Sequence, residues 1–183
     1  MKALFIKYKL VVKFIITFLL VYVIFSLLYR GYLDISKGSK YYPDYVTNLV
    51  AKQTRNLLES ADYRAKIIPH PDEPSMKLIV NEKYVARIVE GCNSVSVIIL
   101  FMSFIIAFAG KPKITILYIL VGSVLIYIAN LIRVAILAAG LYHYPWRKDI
   151  LHTVIFPAII YGMVFLLWML WVNRISNLKS KND

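Results

Sequence analysis

Three side chains in this 183-residue sequence have the types needed to break a peptide bond: Cys92, Arg133 and His152. A thiol attacks as its thiolate, and an imidazole can take the thiol proton and return it to a leaving amine. A guanidinium stays charged at any ordinary pH and can stabilise the oxyanion that forms during attack. Cys92 is the only cysteine, so no internal disulfide exists and there is no CxxC pair for redox exchange. His70, His143 and His152 lack the close spacing of a metal site, which argues against metal chemistry.

The three groups matter only if the fold brings them together, and composition says what kind of fold that is. Hydrophobic residues make up 60% of the chain, and mean hydropathy is +0.64. These are values for a bundle of membrane helices, not for a soluble domain. Four apolar runs approach the ~20 residues that cross a bilayer core: Leu10–Tyr29, Cys92–Ala109, Ile114–Tyr142 and Ile150–Val172. The expectation is an all-α integral membrane protein with about four transmembrane helices. The first run has a basic flank, as a cleaved signal would, but it is longer than a signal's apolar core and no A-x-A-like site follows. It is read as a retained anchor.

The net charge of +12 is laid out by topology and needs no nucleic-acid partner. Lys2, Lys7, Lys9 and Lys13 lie at the N-terminus, Lys111 and Lys113 in the Gly110–Lys113 turn between the second and third runs, and Arg174, Lys179 and Lys181 at the C-terminus. Alternate loops are therefore basic, which sets both termini on the cytoplasmic side. Segment Gly31–Gly91 has nine basic and eight acidic residues and is expected outside. There, Val46, Leu49, Val50, Leu57 and Leu58 recur at helical spacing after Pro43 and Asp44, which predicts a helix to about Ser60. Met76–Val80 and Tyr84–Val89 flank Asn81-Glu82-Lys83 as a hairpin. The insertion between helices 1 and 2 is thus a helix plus a β-hairpin, and the hairpin ends at the cysteine.

Counting along each helix from its cytoplasmic end gives the depths of the three groups. Cys92 lies 19 residues from Lys111, Arg133 lies 19 from Ile114, and His152 lies 20 from Val172. Each separation is about 28–30 Å, one hydrocarbon thickness, so all three are expected at the outer interface. Cys92 would also stand at the start of its helix, where backbone dipoles favour a thiolate. Asn130 shares a helical face with Arg133 and orients the guanidinium or the substrate, or else makes a helix-helix hydrogen bond.

Cys92-Asn93-Ser94, Asn130-Leu131-Ile132-Arg133 and His152, in this order at the outer ends of successive helices, resemble the exosortase/archaeosortase family, and the short chain resembles its exosortase F type. The resemblance covers roughly residues 84–172. It implies a bacterial inner-membrane, multi-pass cysteine transpeptidase or peptidase with no cofactor, its active site facing the extracytoplasmic side. Its substrate would be an exported protein with a C-terminal sorting signal that includes a hydrophobic helix, transferred to an acceptor the sequence does not identify. Cys92 would be the nucleophile, Arg133 the transition-state stabiliser and His152 the general acid/base, with Asn130, Asn93 and Ser94 as substrate-binding candidates. Two features depart from the family pattern: four spans where many members have about eight, and Ser94 where glycine is frequent. The alternative reading is a non-enzymatic membrane scaffold in which Arg133 pairs with a partner helix.

Overall fold

In a computed structural model, residues 8–36, 40–108 and 110–180 are described. Expectations that rest on Lys2, Lys7, Ala109 and Lys181 lie outside them. The chain forms α1 (Lys9–Ser36), α2 (Tyr45–Glu59), β1 (Ala65–Pro69), β2 (Ser75–Val80), β3 (Lys83–Val89), a 3-10 turn (Glu90–Cys92), α3 (Val95–Ala107) and α4 (Pro112–His143). After α4 come a 3-10 turn (Pro145–Arg147), one helical turn (Lys148–Ile150), a π-helical turn (Leu151–Ile155) and α5 (Phe156–Ser180).

Among the described residues, three segments are long and apolar enough to cross a membrane: Lys9–Ser36, Pro112–His143 and Thr153–Arg174. The remaining expected span, Cys92–Ala109, differs from the structure at its start. Helix α3 has 13 residues and is about 20 Å long, short of a full hydrocarbon core. Local chemistry sets its late start. Asn93 Oδ1 accepts from the Val95 N–H at 3.0 Å, and Ser94 has φ 64°, a left-handed conformation incompatible with a continuing helix. Glycine adopts that conformation without strain, whereas a serine there carries the left-handed penalty.

The insertion between α1 and α3 holds the expected helix and hairpin, together with one strand the sequence reading lacked. Asp44 caps α2, accepting from the N–H groups of Val46 (2.9 Å) and Thr47 (3.0 Å). Thr47, Val50, Ala51, Thr54 and Leu58 form its buried face, and Asn48 Nδ2 donates to the Tyr42 carbonyl at 2.8 Å. The sheet is antiparallel in the order β1-β2-β3. Asn81 and Glu82, both at positive φ, make the two-residue turn between β2 and β3. Leu78 pairs with Ala86 and Ile79 with Tyr84, so Val85 is an extra residue in a bulge. Strand β1 was missed because Pro69, Pro71 and Pro74 dominate its neighbourhood; Pro69 ends the strand and does not interrupt it.

Two cores result. Val50, Ala51, Leu58, Met76, Leu78, Val80 and Ile88 meet Val134, Ala135 and Ala138 of α4, which seats the sheet and α2 on the end of that helix. Tyr63 Oη reaches His143 Nε2 at 3.0 Å and Tyr127 Oη donates to Gln53 Oε1 at 2.5 Å, two further ties between insertion and α4. Further along the bundle, Phe101, Ile105, Ile126, Val164 and Trp171 pack α3, α4 and α5 together. Gly122 permits the close approach: a Cβ there would overlap the Phe101 ring.

Candidate active site

Strand β3 runs directly into the 3-10 turn that carries Cys92, which the Asn93 N–H closes by donating to the Glu90 carbonyl at 3.2 Å. Asn93 then fastens this corner to the rest of the molecule. Its side chain is 1% exposed; Nδ2 donates to Tyr29 Oη of α1 at 2.7 Å and to Thr47 Oγ1 of α2 at 3.1 Å, and Oδ1 takes the Val95 N–H. Both amide donors are engaged within the chain. Ser94 is buried as well, with Oγ donating to the Asn93 carbonyl at 2.6 Å. In the described structure, then, these two sequence candidates shape the cysteine's backbone.

Asn130 joins the cysteine to the arginine. It is 1% exposed, and Nδ2 donates to the Cys92 carbonyl at 2.7 Å, while Oδ1 accepts from Arg133 Nη1 at 3.4 Å. One carboxamide therefore bonds the backbone of Cys92 with its donor end and the guanidinium, one helical turn along α4, with its acceptor end. Asn130 thus bonds a 3-10 turn and not another helix, and its acceptor end faces the guanidinium. Arg133 Nε is buried with no hydrogen-bond partner among the described residues. A desolvated cationic donor without an acceptor is costly, and an incoming oxygen atom would satisfy it.

Cys92 and Arg133 line one cavity of about 560 Å3. It is lined by Val134, Leu137 and Leu141 of α4, by Tyr84–Ile88 of β3, and by Asp149 and Thr153. Cys92 is half-buried and free. The backbone of His152 lies in the π-helical turn, directly before the cavity-lining Thr153; its side chain lies outside the described residues. Asp149, an exposed carboxylate at this cavity, was missed by the sequence reading. The available signal was its i,i+4 relation to Thr153 beside the histidine. The β3 lining was missed because sequence alternation reveals a strand and not which of its edges is open. Among the described residues, no group of three or more His, Cys, Asp or Glu could hold a metal ion.

With that geometry in place, comparison with known proteins identifies the architecture. The sequence model for transmembrane exosortases matches residues 10–173, a stretch that takes in α1, the insertion, the cavity and most of α5. Searches of curated proteins and of solved structures gave no match. Over residues 10–173 this chain carries the pattern of a multi-pass membrane transpeptidase or protease acting on exported proteins, and it belongs to the transmembrane exosortase family.

Proposed function

We propose that the chain is a cysteine transpeptidase or peptidase that cleaves a C-terminal sorting signal from an exported protein in the cavity lined by Cys92 and Arg133. Cys92 Sγ attacks the carbonyl carbon of the scissile peptide. The carbonyl oxygen becomes an oxyanion facing the Arg133 guanidinium, whose buried Nε lacks a partner among the described residues. As the C–N bond breaks, His152 hands the proton taken from the thiol to the departing amine, leaving a thioester on Cys92. An acceptor amine then gives transfer, and water gives hydrolysis. Asn130 is a positioning residue: it holds the Cys92 carbonyl and the guanidinium at a fixed mutual distance.

The basic loops argue that the cavity faces the extracytoplasmic side of the bacterial inner membrane, with both termini inside. A substrate whose sorting signal includes an apolar helix would insert that helix beside the bundle and present the preceding segment to Cys92. The single observation that carries this reading is that one buried amide ties Cys92 to Arg133 beside a shared cavity. The non-enzymatic scaffold differs from it in a simple way. Replacing Cys92 by serine or alanine, at equal membrane abundance, should abolish maturation of an exported protein; a scaffold would be indifferent to either change.

A further inference from the structure

We infer that the free edge of β3 binds the substrate's extended segment as an added strand and delivers it to Cys92. This inference rests on the catalytic reading of the cavity. Beyond the Val85 bulge strand side chains alternate between faces, yet the cavity touches three successive residues there, Ala86, Arg87 and Ile88, as well as Tyr84 and Val85. A hollow that meets both parities must run along the strand's edge. That edge is unpaired, since β2 is the only strand bonded to β3 and among the described residues no other backbone hydrogen bond reaches it.

The ladder also shows which peptide groups face outward. His70 donates to the Ser75 carbonyl at 2.9 Å and Asn81 to the Arg64 carbonyl at 2.8 Å, so the odd-numbered residues of β2 turn their peptide groups toward β1. Residues of β3 opposite those odd positions therefore point away from β2. They are Tyr84, Arg87 and Val89, paired with Ile79, Lys77 and Ser75. Arg87 and Val89 are spaced two apart, the repeat at which an added strand finds successive donors and acceptors. The edge from Tyr84 to Ile88 extends about 13 Å, room for about four extended residues. Val89 is followed by the turn that ends in Cys92. The opposite edge, β1, borders a different hollow with Arg55, Glu59 and Arg64, which contains neither Cys92 nor Arg133.

The occupant is thus the backbone of the exported protein on one side of its scissile bond, read through main-chain bonds while the cavity's apolar lining receives alternate side chains. The test compares Arg87→Pro with Arg87→Ala in the full-length protein in its own membrane, scoring the exported protein whose maturation is lost in Cys92→Ala. Both variants lose the exposed ion pair to Glu73; only proline also removes the outward N–H, and an edge strand tolerates it. Strand addition predicts maturation at least tenfold slower for Arg87→Pro than for Arg87→Ala at equal abundance. A photo-crosslinking residue at position 84 should also join the segment preceding that protein's apolar helix, while one at position 68 on β1 should not. Equal rates for the two variants overturn the inference and leave Cys92 dependence standing. If Arg87→Pro fails to accumulate, equal crosslinking from 84 and 68 overturns it. If no protein's maturation depends on Cys92, the catalytic reading falls and this inference with it.

Discussion

The two ends of α4 are held by different physics. Around Asn130 the helix meets its neighbours through hydrogen bonds: the Cys92 carbonyl and Arg133 on one amide, and, across the corner, Asn93 with Tyr29, Thr47 and Val95. Nearer its start, contacts are aromatic. The Tyr118 ring lies 6.1 Å from Phe101 of α3 and 4.7 Å from Trp171 of α5, centroid to centroid, and Tyr118 Oη donates to the Leu167 carbonyl at 2.8 Å. Packing tolerates small shifts in atom position at modest cost, whereas buried hydrogen bonds fix distance and direction and are expensive to leave unmade. The end near the cavity is built for position, and the aromatic end is built for cohesion.

If that division is right, changes at the two ends should separate rate from stability. The largest effect belongs to Cys92→Ala, which should slow maturation of the exported protein by about 10^4-fold or more with no change in membrane abundance; pulse-chase labelling measures both. Arg133→Ala should slow it by about 10^2–10^3-fold, and Arg133→Lys should recover little, because a lysine cannot offer the buried Nε donor. Asn130→Leu removes both polar bonds at similar volume, and loss of alignment should lower the rate per folded molecule by about 10^2-fold. Equal rates for Asn130→Leu and wild type would show that the amide does not position the pair.

The aromatic end should answer in the opposite way. Trp171→Ala deletes a side chain 1% exposed and should cost about 3–5 kcal/mol, seen as a lower melting temperature in detergent, while the rate per folded molecule stays within about threefold. Gly122→Ala, which drives a methyl into the Phe101 ring, should cost about 1–3 kcal/mol by overpacking. The smallest effect is Ser94→Gly. Relieving the left-handed strain at φ 64° should stabilise the corner by up to about 1 kcal/mol, provided that loss of the Ser94 Oγ bond to the Asn93 carbonyl does not offset it.

Much of this division was legible in the sequence, and what was not has identifiable causes. Apolar runs of about 20 residues reveal membrane helices because hydropathy sums over many side chains, so α1, α4 and α5 were visible. The Asp44 cap and the hairpin turn were visible because their signals are local. Equal depth along three helices singled out Cys92, Arg133 and His152, and the cavity does contain Cys92 and Arg133. The late start of α3 was hidden, since Cys92-Asn93-Ser94 reads as small residues entering an apolar run; unwinding there depends on a side-chain bond to a backbone N–H and on partners 46 and 64 residues away. The hydrogen bonds of Asn93, a substrate-binding candidate in the sequence, to Tyr29 and Thr47 carry no local signal for the same reason. Which sheet edge lies open is likewise a tertiary fact, invisible to alternation along a strand.

The central claim is that a covalent bond to Cys92 lies on the reaction path. Intact-mass and peptide spectrometry of the protein, extracted rapidly in acid from membranes that are actively maturing the exported protein, tests it most directly. The account predicts a peptide joined to Cys92 through a thioester, removed by neutral hydroxylamine and absent from Cys92→Ala. Continued maturation with an unmodified Cys92 under conditions that preserve thioesters would contradict it.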